Sequence, residues 1–279
     1  MDSSTTEPNV ARLLPWSIDP TDTYLASGIA MLAQLEHQAT PALRWSRVAP
    51  ASLILGSSQR VGELDLAACA QAGLAIHRRA SGGGIVLNED MLQLDIALPR
   101  SHPLATDDVT ESYRWVGEAW ADAFAALGVA TQALAVPAAR EDTRSRDPLL
   151  RHVCFGGQSP YEVMVGGRKL VGLAQIRRRG NALFQIGIYT RWQPQRNAEL
   201  LALAPPDRER LAELLGQRVI GLEELGPQPS ADVVIASFER ALAQRTGMRL
   251  QPDAWRDTER AALERERGRF AALAAEDAG

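Results

Sequence analysis

Three observations predict an α+β fold with substantial antiparallel sheet. Strand-like and helix-like stretches are mixed without the strict alternation of a parallel α/β sheet. Apolar runs in the middle of the chain are joined by Gly166-Gly167 and by Arg179-Gly180-Asn181, which is hairpin turn chemistry. From residue 197 onward the pattern is helical. No linker-like break interrupts the 279 residues. One domain is therefore expected over 16–279, helical C-terminal part included, after an irregular tail at 1–15.

Asp22 is placed to cap a helix over 22–37, with Leu25, Ile29 and Leu32 on one face. Pro41 opens a strand at 43–48, and Pro50 separates it from a second at 52–55. After the turn Gly56-Ser57-Ser58-Gln59, a helix over 64–71 ends at Gly73, a normal C-terminal glycine. Residues 74–76 and 85–87 read as strands on either side of a glycine loop. Over 91–98, Leu92, Leu94, Ile96 and Leu98 recur at every second position, predicting a half-buried strand that Pro99 stops. A long helix over 109–127 is closed by Gly128, and a strand is expected at 129–136. The charged stretch 137–151 reads as an irregular, mobile loop. Strands follow at 161–165, 169–174 and 182–189, then helices at about 197–204, 207–215, 231–246 and 254–274.

A composition of 46% hydrophobic residues is enough for a sizeable core. No apolar run approaches the roughly 18–20 residues that span a membrane, and residues 1–10 lack a signal-peptide pattern, so a cytoplasmic protein is expected. Two cysteines are too few for a disulfide scaffold and lack zinc spacing, so no metal site is expected. Cys69, in a helical pattern, reads as a small buried hydrophobe. Between residues 144 and 196 ten basic residues face only Asp147 and Glu162, a net +8 that leaves −12 for the remainder of a chain of net charge −4. A basic middle on an acidic body points to an anionic substrate or acidic partner. A sequence pI of about 5.7 and the lack of a binding motif argue against nucleic acid. Of the 30 lysines and arginines, Lys169 is the only lysine. It marks a position suited to a compact ammonium on a flexible stem and not to a planar guanidinium.

The glycine loop reads Arg78-Arg79-Ala80-Ser81-Gly82-Gly83-Gly84. Three consecutive glycines let backbone approach closely, and their N–H groups suit an anion or a developing oxyanion. Adjacent strand residues face opposite sides, so only one of Arg78 and Arg79 is expected to face a site. Leu87 stands where a dinucleotide fingerprint needs its third glycine, and no Gly-Lys-Ser/Thr follows as in a P-loop. A plain glycine turn with solvated arginines is also compatible with this stretch.

This loop, continued through Ile85-Val86, resembles the arginine- and glycine-rich loop of the lipoate–protein ligase and octanoyltransferase family. The stretch Tyr161-Glu162-Val163-Met164-Val165-Gly166-Gly167-Arg168-Lys169-Leu170-Val171-Gly172-Leu173-Ala174-Gln175 resembles the family's second motif, a hairpin carrying the active-site lysine followed by Gly-x-Ala-Gln. The likeness covers about residues 10–265, and the C-terminal accessory domain of some ATP-dependent members is expected to be absent. It implies the biotin and lipoate protein ligase catalytic fold: a large mixed sheet, a smaller sheet and flanking helices. It also implies transfer of an octanoyl or lipoyl group to a lysine of a lipoyl domain or a glycine cleavage H protein.

Two chemistries follow from the likeness. A transferase takes the acyl group from acyl carrier protein through an enzyme thioester and needs no cofactor; a ligase activates free lipoate with ATP and Mg. The run Cys154-Phe155-Gly156-Gly157-Gln158-Ser159-Pro160-Tyr161-Glu162 is similar to the nucleophile region of the cysteine-dependent members. By likeness, Cys154 and Lys169 are the catalytic residues. Arg78, Arg79, Ser81, Gly82, Gly83, Gly84, Gly172, Ala174 and Gln175 bind substrate. Physically, a thiolate is a good nucleophile and its acyl thioester is reactive toward amines. His152, two residues earlier, would share a face with Cys154 on an extended segment and could act as a base. The sequence departs from the family pattern at Asn88 and Ile186, where histidines are usual, and at Leu173, where serine is usual. A binding-only relative is the third reading.

Overall fold

A computed structural model describes residues 10–273. The chain runs β1 (Val10–Asp19), α1 (Thr21–Gln34), β2 (Ala42–Val48), β3 (Ser52–Leu55), α2 (Leu66–Gln71), β4 (Ala75–Arg78), β5 (Val86–Asn88) and β6 (Met91–Leu98). It continues with α3 (Arg114–Ala126), β7 (Gln132–Ala133), α4 (Val136–Ser145), β8 (Val163–Val165), β9 (Arg168–Arg178) and β10 (Asn181–Tyr189). The last part holds α5 (Pro194–Glu199), α6 (Pro205–Arg218), α7 (Ala231–Thr246), β11 (Arg249–Pro252) and α8 (Asp257–Arg267). Eight strands form a mixed sheet in the order β11-β1-β2-β6-β10-β9-β8-β7, and β4-β3-β5 form a small second sheet. The predicted α+β class, with a large and a small sheet, is what the structure has.

The two faces of the large sheet are buried against different layers. Leu92, Leu94, Ile96 and Leu98 of β6, with Phe184, Ile186 and Ile188 of β10, join the main core with Trp120 and Phe124 of α3 and Phe238 of α7. Trp120 stacks on Phe238 at 4.1 Å between centroids and meets Trp45 edge-on at 5.9 Å, a geometry that adds to area burial. On the other face, Leu14, Ala42, Ala97 and Leu183 pack against Met31, Leu32 and Leu35 at the C-terminal end of α1. There β6 differs from expectation: all eight of its residues are buried. α1 and the small sheet cover its second face, so Gln93 and Asp95 are enclosed with no solvent to face.

The hairpin turns form where the glycines predict them. Gly166 and Gly167 have φ of +54° and +82°, the paired left-handed values of a tight hairpin turn. Elsewhere the sequence reading needs correcting. The expected tail at 1–15 is strand from Val10, because β1 pairs with both β2 and β11; residues 1–9 lie outside the described residues. Asp22 sits inside the first turn of α1 and not at its cap, which is Pro20. The expected strand at 129–136 shrinks to the two residues of β7. Stretch 137–151 is ordered as α4, with Pro137 in its first turn, and a 3-10 turn (Pro148–His152). Asp142 holds that segment by pairing with Arg218 of α6, a contact no local pattern announces. β11 escaped notice because it is a four-residue, mostly exposed edge strand ending in proline.

Candidate active site

The glycine loop does not join neighbouring strands. β3 lies between β4 and β5, so residues 79–85 cross over its end. The crossing is tight: a Cβ on Gly56 would stand 2.0 Å from the Gly83 carbonyl oxygen. A Cβ on Gly84 would stand 2.6 Å from the backbone of His152. No side chain fits at either place, which is the physical reason for glycine there. The space is used for hydrogen bonds. Ile85 N–H donates to His152 O at 2.8 Å, and Cys154 N–H donates to Ile85 O at 2.9 Å. The loop and the cysteine segment are thus zipped together through an isolated parallel bridge between Ile85 and Val153. The Cys154 sulfur comes within 3.5 Å of where a Cβ on Gly83 would be.

One arginine of the pair faces the site. The Arg79 guanidinium donates to Gly82 O at 2.7 Å and Gly84 O at 2.8 Å, and it lines a cavity of about 90 Å³. Arg78 points the other way and clamps the carbonyls of Gly56 and Gln59. Cys154, Lys169, Glu162, Ser81, Gly172 and Ala174 line the same cavity as Arg79, with apolar walls from Leu25, Ile54, Val86 and Met91. Lys169 is 2% exposed. Its Nζ lies 2.8 Å from Glu162 Oε2, donates to the Gly157 carbonyl and sits 5.3 Å over the Phe155 ring. Phe155 can lie there because Gly172 and Gly187 offer a bare strip of strand: a Cβ on Gly172 would be 2.8 Å from the ring.

Some expected residues fall elsewhere. Gln175 is not a lining residue; its amide bonds Ser112 at 2.9 Å and accepts from Arg177 at 3.0 Å. It is an odd number of residues from Gly172 and Ala174, and strand alternation turns it away. His152 does not share a face with Cys154, because 3-10 turns at 148–156 break the extended geometry. Its Nδ1 lies 3.3 Å from Glu63 Oε2, outside the cavity. The basic stretch is also less basic than its composition. Arg144, Arg146, Arg168, Lys169, Arg179, Arg191 and Arg196 each meet a carboxylate. The acids come partly from far along the chain, such as Glu36 and Glu89.

The chain matches the model of the lipoyl protein ligase A/B catalytic domain over residues 24–244. It belongs to that family. Among curated family members, it is 32% identical to the octanoyltransferase LipM of Kyrpidia tusciae, over 80% of this chain and 81% of that one. It is 30% identical to the LipM of Moorella thermoacetica, over 94% and 95% of the two chains. Solved structures of family members share the fold. The bipartite lipoate protein ligase of Thermoplasma acidophilum superposes with a TM-score of 0.76 at 20% identity, covering 92% of both chains. A lipoate-protein ligase A bound with ATP gives 0.72 at 21% identity, covering 92% of this chain and 94% of that one.

Where the family pattern has histidines, this member builds neutral and apolar lining. Ile186 is buried in the main core and borders the cavity. Asn88 accepts a hydrogen bond from Gln93 at 3.0 Å, and Gln93 lines the cavity. Next along β6, Asp95 is fully buried; Gln185, another lining residue, donates to it at 3.3 Å, and Arg44 lies 3.8 Å away. Burial pushes the Asp95 carboxyl up to about 6, against the opposing pull of Arg44 and Gln185. The folded chain therefore holds this proton more tightly than the unfolded one. The stability it contributes is fully present below the ordinary aspartate range and is lost as pH rises through about 6. Between about pH 4 and pH 7 the unmodified protein is expected to lose roughly 2–3 kcal/mol relative to Asp95→Asn. Urea midpoints of the two proteins across that range check this; parallel profiles would refute it.

Glu162, Phe155, Gly187, Gln93, Gln185 and Tyr24 are among the lining residues that pattern reading missed. Only Glu162 had a usable signal: it is one of two acids in a stretch of ten basic residues, and it immediately precedes β8, the hairpin partner of the strand carrying the sole lysine.

Proposed function

We propose that this chain transfers an octanoyl or lipoyl group from a carrier thioester to a lysine of a lipoyl carrier domain, through a thioester on Cys154. The observation that supports it most is that the sole thiol of the site and the sole lysine of the chain open into one narrow, mostly apolar cavity beside the glycine loop. Apolar walls favour a slim acyl chain over water. The sulfur of Cys154 forms the new C–S bond as the donor's C–S bond breaks, and a carrier thiol departs. The acceptor amine then forms the C–N bond and returns Cys154 as a thiol. An ammonium has three donors. Lys169 commits one to Glu162 and one to Gly157 O, which leaves one for the acyl oxygen as negative charge develops there.

Arg79 stiffens the wall: three of its five N–H donors hold the carbonyls of Ile54, Gly82 and Gly84. Acyl carrier protein is the proposed donor, and a lipoyl domain or an H protein the proposed acceptor.

The test is intact mass after mixing with octanoyl–acyl carrier protein. A hydroxylamine-sensitive acyl adduct that passes to a lipoyl domain is the expected result. Carrier labelling that requires lipoate and ATP and proceeds without the enzyme adduct would replace this reading with the ligase reaction. Carrier binding with no transfer from either donor would leave a binding protein.

A further inference from the structure

Both half-reactions need a proton taken off a nucleophile inside a closed space: first the Cys154 thiol, then the acceptor amine. Lys169 alone does not meet that need while it carries its full complement of protons. The cavity holds one carboxylate among the described residues, Glu162, and nothing in the acyl-transfer chemistry so far uses it. We propose that Glu162 is the proton store of the site, working through Lys169 and never touching the substrate. The inference rests on the acyl-cysteine reading above.

The geometry fits a store better than a plain structural pair. Glu162 Oε2 is 2.8 Å from Lys169 Nζ, a distance at which a proton crosses directly. The carboxylate is pinned by backbone donors on both oxygens, Ser159 N–H at 2.7 Å and Leu173 N–H at 3.4 Å. It stays aimed at the ammonium. Burial pushes its carboxyl above the ordinary glutamate range, with Lys169 pulling the other way. The groups around it do not compete for the proton. Tyr113, from the turn before α3, is held protonated by burial and by the nearby Glu162 and Cys154. Arg177, which also acts on Tyr113, is bonded to Gln175 and Thr106 O. Arg79 on the opposite wall is tied to the loop.

The proton ledger closes. Lys169 passes a proton to Glu162, giving amine and carboxylic acid. The amine accepts the Cys154 S–H proton, and the thiolate forms the thioester while the carrier thiolate leaves. The carrier thiolate takes a proton from Lys169, which recovers the one held by Glu162. In the second half-reaction the acceptor nitrogen sheds its proton to the same pair as the C–N bond forms, and the pair returns it to the Cys154 sulfur. No oxidant is needed, and the acceptor lysine enters as its neutral amine after releasing one proton to solvent.

Single-turnover acylation of Cys154 by octanoyl–acyl carrier protein, followed by intact mass across roughly pH 5 to pH 9, tests this. Glu162→Gln is expected to slow acylation about a hundredfold with the half-saturating donor concentration unchanged. It should also remove the fall in rate at low pH, where Glu162 is already protonated. Glu162→Asp should recover part of the rate. Because the two residues act as a unit, Glu162→Gln/Lys169→Met should be no slower than Lys169→Met alone. That double variant replaces the buried pair by neutral groups, so it stays informative if Glu162→Gln folds poorly. Wild-type rate and pH profile in Glu162→Gln would overturn the inference and leave the acyl-cysteine reading standing, and so would losses that multiply in the double variant. No adduct on the unmodified protein would sink that reading and this inference with it.

Discussion

Cys154→Ser is expected to abolish the acyl adduct and to cut octanoyl transfer by at least about a thousandfold, roughly 4 kcal/mol of transition-state stabilisation. A serine hydroxyl at neutral pH is a far weaker nucleophile than a thiol. The substitution leaves the fold alone. Cys154 is half-buried on a 3-10 turn, and its structural bond is the backbone N–H to Ile85 O, which serine keeps. Unfolding midpoints should therefore stay within about 0.5 kcal/mol of the unmodified protein, as for substitutions that disturb no core or network. Transfer that persists in Cys154→Ser at more than a tenth of the original rate would remove the thioester from the reaction.

Lys169→Met is expected to lose both activity and stability. The ammonium next to the acyl group disappears, so transfer should fall by about two to three orders of magnitude. Glu162 is left buried without its cation, at a cost of about 3–5 kcal/mol near neutral pH. The sign of the pH dependence is fixed. Without Lys169 the Glu162 carboxyl is raised further, so the lost stability returns as pH falls through its folded value and the group becomes neutral. Adding Glu162→Gln should restore most of the stability and none of the activity. Lys169→Arg should not rescue transfer. The site is 2% exposed and meets the ammonium at a point between Glu162 and Gly157 O, with no room for a planar fork. Denaturant midpoints with and without Glu162→Gln, at about pH 5 and pH 8, decide the matter; a pH-independent loss would mean that Glu162 is not the orphaned charge.

The α+β class and both hairpin turns were legible because they rest on local rules: glycine pairs at the turns and apolar periodicity in the strands. Cys154 was expected from its likeness to the family's nucleophile region and Lys169 also as a lone lysine among arginines, and both line one cavity. What stayed hidden depends on distance in sequence. Asp95 answers to Arg44, which no window of residues brings together, while Asn88 and Gln93, close in sequence, meet only because they sit on two different sheets. The ordering of 137–151 comes from Arg218, some seventy residues on. Gln175 was misplaced by trusting a motif over strand alternation, and the basic stretch by counting charges without their partners.

The zipper between the glycine loop and the cysteine segment has a mechanical consequence. With Ile85 bonded to His152 on one side and Cys154 on the other, the end of the loop and the cysteine segment are coupled. A guest too wide for the slot displaces the wall and drags the sulfur out of alignment in the same motion. On the proposed acyl-cysteine reading, fit and reactivity become a single variable, and a bulky donor is expected to be refused at the bond-forming step even after it has entered.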